Sequence, residues 1–146
     1  MKKYIFSFAM LCTFLNLHGQ NNNVYINAGS MGFYQTLTVN FEFRISKDES
    51  KTRSYLRTLA GVLQGSFYSS DDRVPAIYIG SVQMVILFGK QNKFFETSFG
   101  VLYGVYEEAL ILPALGFGYR YEGEKWMFRT GVHFPEGIYL GGGMRF

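Results

Sequence analysis

The chain has 146 residues, with 14 Lys+Arg against 11 Asp+Glu, and is rich in Phe, Tyr and Gly. This length indicates one domain at most, and Cys12, the only cysteine, cannot form an internal disulfide. Lysines and arginines are scattered among acids, so no basic patch predicts nucleic-acid binding.

The N-terminal segment has the pattern of a secretory signal. Two lysines precede an apolar run that ends near Leu17, and the small residue Gly19 follows it. The run is shorter than the roughly 20 residues of a membrane-spanning helix. We therefore expect residues 1–19 to be a signal peptide and residues 20–146 to be the exported domain. Its removal lowers Lys+Arg from 14 to 12, so the mature net charge is near +1.

The remaining sequence alternates between apolar and polar residues. In "TLTVNFEFRI", the apolar residues Leu37, Val39 and Phe41 alternate with polar ones such as Thr38 and Asn40. A period of two indicates a strand with one apolar and one polar face, and "FFETSFGVLYGVY" and "KWMFRTGVHF" repeat it. Turn signals separate the segments. The predicted strands, each of a length that crosses a tilted bilayer, are residues 23–31, 35–46, 53–68, 75–88, 93–106, 109–122, 125–134 and 137–146.

The apolar faces favour a membrane barrel, in which apolar residues face outward and polar residues inward. Large aromatics lie at the ends of these faces, as expected for residues at a membrane interface. The three prolines fall near the rim opposite the N-terminus, where a barrel tolerates a residue that cannot donate to the ladder. The alternative is a soluble periplasmic, calycin-like binding barrel. The aromatics predicted at the lower, N-terminal rim are Phe43, Tyr55, Phe88, Phe95, Tyr121, Trp126 and Phe146.

The predicted inward face carries charges of both signs in its lower half. Ionised groups inside a narrow barrel persist when they are paired. The sequence therefore predicts a plug of ion pairs and no open pore. The predicted plug residues are Glu42, Arg44, Glu96, Arg120, Glu122, Arg129 and Arg145.

The upper half of the predicted interior is small or apolar. Such a chamber could bind an acyl chain or another small apolar ligand. The other interpretation, which an eight-stranded interior favours, is that neighbouring tyrosines fill the space beside the glycines. The candidate ligand-binding residues are Gly100, Leu102, Gly104, Leu112, Gly116, Gly131 and Gly141.

No enzymatic motif is present. The sequence lacks metal-ligand spacing, a nucleophile elbow, a phosphate-binding loop and a dinucleotide fingerprint. His133 and Glu136 could form an acid–base pair near the upper rim, but no serine is placed beside them in the sequence. We expect no catalytic residue, metal or cofactor.

The last predicted strand places Met144 and Phe146 on its apolar face. This pattern, together with the export signal, resembles the small eight-stranded outer-membrane β-barrel proteins of Gram-negative bacteria. Their last strand commonly has apolar alternate positions and a C-terminal Phe, which the barrel-assembly machinery reads. The resemblance implies an all-β, antiparallel, up-and-down transmembrane barrel in the cell outer membrane, acting as a structural or interaction module. Its partners would be outer-membrane lipid and, through Met144 and Phe146, the assembly machinery. The short predicted outer connections argue against loop-borne adhesion.

Overall fold

The computed structural model describes residues 22–46, 52–65, 76–105 and 109–146. These residues form eight strands, each antiparallel to its neighbours, which close into one up-and-down barrel. The predicted all-β, eight-stranded barrel is therefore confirmed. The strands are β1 (Asn23–Ser30), β2 (Tyr34–Arg44), β3 (Thr52–Gly65), β4 (Ile77–Lys90), β5 (Lys93–Val105), β6 (Ala109–Glu122), β7 (Trp126–Phe134) and β8 (Gly137–Arg145).

The strand boundaries follow the turn signals. Every predicted boundary within the described residues lies within two residues of the observed one. The predicted boundaries at 68, 75 and 106 lie outside the described residues, as does the predicted signal peptide.

Two short turns show why particular residues connect the strands. Gln91 and Asn92 join β4 to β5, and Gln91 takes a positive φ of 57°. Gly137 begins β8 with a φ of 80°, a region that side chains with a Cβ rarely adopt. A Cβ at Gly137 would also meet Met31 Cγ at 2.8 Å, so the β7–β8 turn requires glycine there.

Pairing between β1 and β8 closes the barrel. Tyr25 lies opposite Gly143 in this ladder, and a Cβ at Gly143 would lie 2.5 Å from Tyr25 Cα. The pairing extends beyond β8, because Asn22 N donates to Phe146 O at 2.9 Å and Phe146 N donates to Asn22 O at 3.0 Å. Phe146 is thus held in the sheet at the lower rim.

The alternating pattern produces an apolar exterior and a polar interior. All eight strands expose large apolar side chains on the outer surface, with Ile138 and Leu140 each 69% exposed. The interior contains buried glutamates and arginines in its lower half. An apolar cluster of Leu59, Ile79 and Leu102 lies in its upper half on the β3–β6 side.

Tyr55 does not lie in the lower aromatic rim, so this prediction was wrong. Its side chain is fully buried and packs in the interior with Val85, Leu87 and Phe94. The residue pattern at the start of β3 explains the error. The strand begins with the polar run Thr52-Arg53-Ser54, and alternation in this segment does not show which side faces inward.

Candidate functional site: the interior charge cluster

Five buried ionised side chains from five different strands meet across the lower interior of the barrel. Each is at most 3% exposed. Because alternate residues of a strand face inward, each strand contributes one of them at about the same height. We call this set the charge cluster: Glu42, Arg57, Glu96, Arg120 and Arg129.

Arg120 is the centre of the charge cluster. Its Nη1 donates to Glu42 Oε2 and its Nη2 to Glu42 Oε1, both at 2.7 Å. Its Nε donates to Glu96 Oε2, also at 2.7 Å. The planar guanidinium has five N–H donors in a fixed geometry, so one arginine joins both glutamates across the bore.

The other two arginines also bind these glutamates, Arg57 both of them and Arg129 mainly Glu96. Arg57 Nε donates to Glu42 Oε1 at 3.0 Å, and its Nη2 donates to Glu96 Oε1. Arg129 Nη2 also donates to Glu96 Oε1. Each glutamate therefore contacts more than one arginine, and a carboxylate that accepts several charge-assisted bonds is strongly stabilised.

Two tyrosines complete the layer. The Tyr25 hydroxyl donates to Glu42 Oε1 at 2.7 Å and accepts from Arg129. The Arg129 guanidinium lies 4.6 Å from the Tyr25 ring centroid and 4.7 Å from that of Tyr139, within the range of cation–π attraction. Aromatic rings and guanidinium planes therefore pack against one another at this height of the barrel.

Glu122 forms a lower layer beneath the charge cluster. Its carboxylate lies 3.4 Å from Arg120, 2.7 Å from Arg53 and 3.5 Å from Arg145. Arg53 and Arg145 are only partly buried, near the lower rim. In the lower interior, three fully buried glutamates therefore face three fully buried arginines, and their formal charges balance.

The structure brings together six of the seven predicted plug residues. Glu42, Glu96, Arg120 and Arg129 meet directly, and Glu122 and Arg145 lie beneath them. Arg44 is placed one inward position below Glu42, where its Nε donates to Ser46 Oγ at 3.4 Å. Sequence reasoning missed Arg57, because the incorrect outward assignment of Tyr55 also turned Arg57 outward. The one signal available was charge, since an arginine facing lipid near mid-strand would be costly.

A second polar network extends from the charge cluster to the upper rim. Arg57 Nη1 donates to Gln83 Oε1 at 3.2 Å, and His133 Nε2 lies 3.1 Å from the same oxygen. His133 Nδ1 lies 3.3 Å from Glu136 Oε2, and Thr38 Oγ1 donates to Glu136 Oε1 at 2.6 Å. The His133–Glu136 pair is thus buried within a continuous polar chain.

The candidate ligand-binding glycines mostly lie against other interior groups. A Cβ at Gly116 would meet His133 Cδ2 at 2.5 Å and Ser98 Oγ at 2.6 Å. A Cβ at Gly131 would lie 2.9 Å from the Tyr139 hydroxyl, and one at Gly141 would lie 3.0 Å from Arg129 Cγ. A Cβ at Gly100 would likewise lie 2.6 Å from Gln83 Cα. These glycines make room for larger neighbours.

Gly104 differs from the others. A Cβ there would meet only Ile77 and Ile79 methyl groups, at 3.6 and 3.8 Å. Leu102 is buried in the upper apolar cluster, and Leu112 packs against it. The predicted ligand-binding residues therefore divide into a tightly packed group and an apolar group near Gly104. Binding of a ligand by either group stays a prediction.

Within the described ranges, no three His, Cys, Asp or Glu side chains are grouped so that they could hold a metal ion. Over the same ranges, no helix has the length and apolar character needed to span a membrane.

The geometry defines a closed, eight-stranded antiparallel barrel with a paired charge cluster in its interior. No protein-family model matches the chain, and neither curated proteins nor solved structures gave a significant match. The arrangement can close the bore and hold the strands in register.

Proposed function

We propose that this chain is a small integral outer-membrane β-barrel of a Gram-negative bacterium, with a structural or interaction role and an interior plugged by ion pairs. The observation that carries the proposal is the polarity of the barrel. Large apolar side chains from every strand face outward, while paired charges face inward. That is the polarity expected of a barrel whose solvent is lipid.

The distribution of aromatics on the outer surface also supports a membrane location. Exposed Phe88, Phe95, Tyr121 and Trp126 lie towards the lower rim. Tyr78, Tyr103 and Phe134 are exposed towards the upper rim. Aromatic residues at both ends of an apolar band match the two interfaces of a bilayer.

A soluble, calycin-like barrel is the alternative that the fold leaves open. Such a barrel would expose its polar face and bury its apolar face. Here it would need other chains to cover the apolar surface around the whole circumference, because exposed apolar patches larger than a few hundred Å² are rare on soluble monomers. The membrane barrel needs no such covering.

A second candidate function is binding of an acyl chain or small apolar ligand in the upper interior. The specific observation in its favour is the apolar cluster of Leu59, Ile79, Leu102 and Ala114, with the open Gly104 beside it. The tightly packed glycines on the β7–β8 side argue for a filled interior, so this function is the weaker proposal.

Cell fractionation tests the membrane proposal. We expect the protein to remain with outer membranes until detergent is added, and to migrate differently on gels before and after boiling. Release by osmotic shock would favour the soluble barrel.

Spin labels test the same proposal at single residues. Labels at Val101 and Val132, which are each 54% exposed, should contact lipid-soluble relaxation agents, whereas a label at the buried Ser98 should not. The reverse pattern would contradict the inside–outside assignment.

A further inference from the structure

A wide groove crosses the outer surface of the described barrel where β1 and β8 meet. The groove has a volume of about 500 Å³ and crosses β7 and β8 between β6 and β1. Gly142 has no side chain there, Ala28 and Thr130 have small ones, and Phe128 and Leu140 are large neighbours. Gly142 lies opposite Phe128 in one ladder and opposite Ile26 in the other. The groove arises because β8 has a glycine where its outward neighbours have bulky side chains.

The groove can accept an occupant without disturbing the interior. The atoms nearest a Cβ at Gly142 would be those of the Phe128 ring, at 3.7 Å, and Met127 O, at 3.8 Å, which are ordinary van der Waals contacts. The groove runs from the middle of the barrel, at Ala28 and Leu140, to the lower rim, at Tyr121. Its lining residues form two rows across these four strands, so the groove leads obliquely from the proposed interface towards the middle of the barrel.

Exposed cations lie at the lower end of the groove. Lys93 is the ladder partner of Tyr121, and Lys125 directly precedes Trp126 on the next strand. Lys93, Lys125 and the nearby Lys90 are all exposed, and among the described residues of the β4–β5 and β6–β7 turns Glu124 is the one exposed acid. The groove is therefore lined by apolar side chains, and exposed lysines lie at its lower end, at the proposed membrane interface.

We propose that this groove binds one acyl chain of an anionic phospholipid, with the phosphate facing Lys93 and Lys125. The inference rests on the proposed membrane location and adds a specific lipid site to it. The volume lies within the roughly 300–1,000 Å³ of small-molecule sites. Lysines near a membrane surface attract anionic headgroups, so charge complementarity selects the lipid.

A second copy of the barrel fits the groove poorly. Two barrels inserted in one membrane have the same orientation, so contact through this groove would place Lys93 and Lys125 of both copies at the same depth. Like charges facing each other at an interface oppose association. A phospholipid brings the opposite charge and needs no matching protein surface.

Trp126 is a built-in reporter of this site. It is the only tryptophan of the chain, it is exposed on the outer face of β7, and it lies opposite Met144, two residues below Gly142 on β8. The experiment is quenching of Trp126 fluorescence in phosphatidylcholine vesicles that contain a small fraction of lipid brominated on its acyl chains. Brominated phosphatidylglycerol is compared with phosphatidylcholine brominated at the same carbons.

We expect brominated phosphatidylglycerol to quench more strongly and to saturate at a lower fraction. Gly142→Leu should abolish the difference by filling the groove, and Gly142→Val should reduce it. Ala60→Leu is the matched control, because Ala60 is an exposed residue on β3, away from the groove. Lys125→Gln should weaken the preference about fivefold, the value of one interfacial lysine.

Equal quenching by the two brominated lipids, or an unchanged preference in Gly142→Leu, would overturn the lipid site while leaving the membrane barrel intact. Absence of quenching by either lipid would mean that Trp126 does not reach a bilayer, which contradicts the proposed function itself. Heat-modifiable migration of each variant shows that it is folded before its quenching is compared.

Discussion

At the scale of single residues, Arg57 and Arg120 show how this interior tolerates charge. Each joins both glutamates of the charge cluster, so the removal of either arginine leaves both carboxylates short of a partner. Breaking a buried ion pair by removing one partner is far costlier than the pair's net contribution to stability, because the remaining charge stays buried. The cluster therefore acts as one unit.

Arg57→Met should lower the free energy of unfolding by about 3–5 kcal/mol, the range for an uncompensated buried charge. Urea unfolding in detergent micelles measures this change in the free energy of unfolding. Lys90→Met, at an exposed lysine at the end of β4, is the control and should change stability by less than about 0.5 kcal/mol. Equal unfolding midpoints for the two variants would contradict the role of Arg57 in the cluster.

Two interior glycines on neighbouring strands offer a second test. Gly116→Ala should destabilise the barrel by about 1–3 kcal/mol, the usual cost of overpacking, because its Cβ would meet His133 and Ser98. Gly104→Ala should be nearly neutral, since its Cβ would make ordinary contacts with Ile77 and Ile79. Thermal unfolding of both variants measures how much stability each substitution costs. Similar losses would mean that the interior around Gly104 is also tightly packed.

At the scale of the strands, the β1–β8 pairing decides whether the barrel closes. Each of the other ladders joins two strands that are consecutive in the sequence, but β1 and β8 must meet from opposite ends of the described chain. Their contact is entropically the most expensive ladder to form. The Asn22–Phe146 hydrogen bonds extend this ladder by one pair at the lower rim.

Deletion of Phe146 should therefore lower the yield of folded barrel in membranes much more than Phe33→Ala does. Phe33 is similarly exposed, 56% against 59%, but lies in the β1–β2 turn and outside the closing ladder. The folded fraction is measured by heat-modifiable migration of membrane extracts. Equal yields would count against both the closing role of Phe146 and the proposed assembly signal.

At the scale of the whole molecule, closure of eight strands leaves an interior that side chains can fill. The charge cluster occupies the lower half, with Tyr25 and Tyr139 beside it. Polar groups around Gln83, His133 and Glu136 continue upward on one side, and the apolar cluster fills the other. The barrel therefore combines a paired charge cluster and other packed groups inside with an apolar outer surface.

We expect the purified protein to show no steady conductance in planar bilayers. Each glutamate of the charge cluster is bound by several arginines, so ions would have to displace contacts of about 2.7 Å to pass. A general porin in the same bilayer is the positive control. A stable channel through the unmodified barrel would contradict the proposal that ion pairs plug its interior.

The sequence by itself determined the number of strands, most of their faces and, to within two residues, the boundaries that lie in the described part of the chain. Period-two alternation is a local property of the sequence, and it is clear in β2, β5 and β7. Five of the six fully buried charges of the lower interior follow from that alternation. β3 was the exception, because its opening residues are polar on both faces, and Tyr55 and Arg57 were assigned to the wrong side.

Only the tertiary structure decided which side chains meet across the barrel. Contacts such as Arg120 to Glu42 depend on the stagger of non-neighbouring strands and on the reach of long side chains, which no local pattern encodes. The same holds for Gly116 and Gly141, whose missing side chains leave room for His133 and Asn27. A glycine in the sequence indicates space, but what fills that space is set by the closure of the barrel.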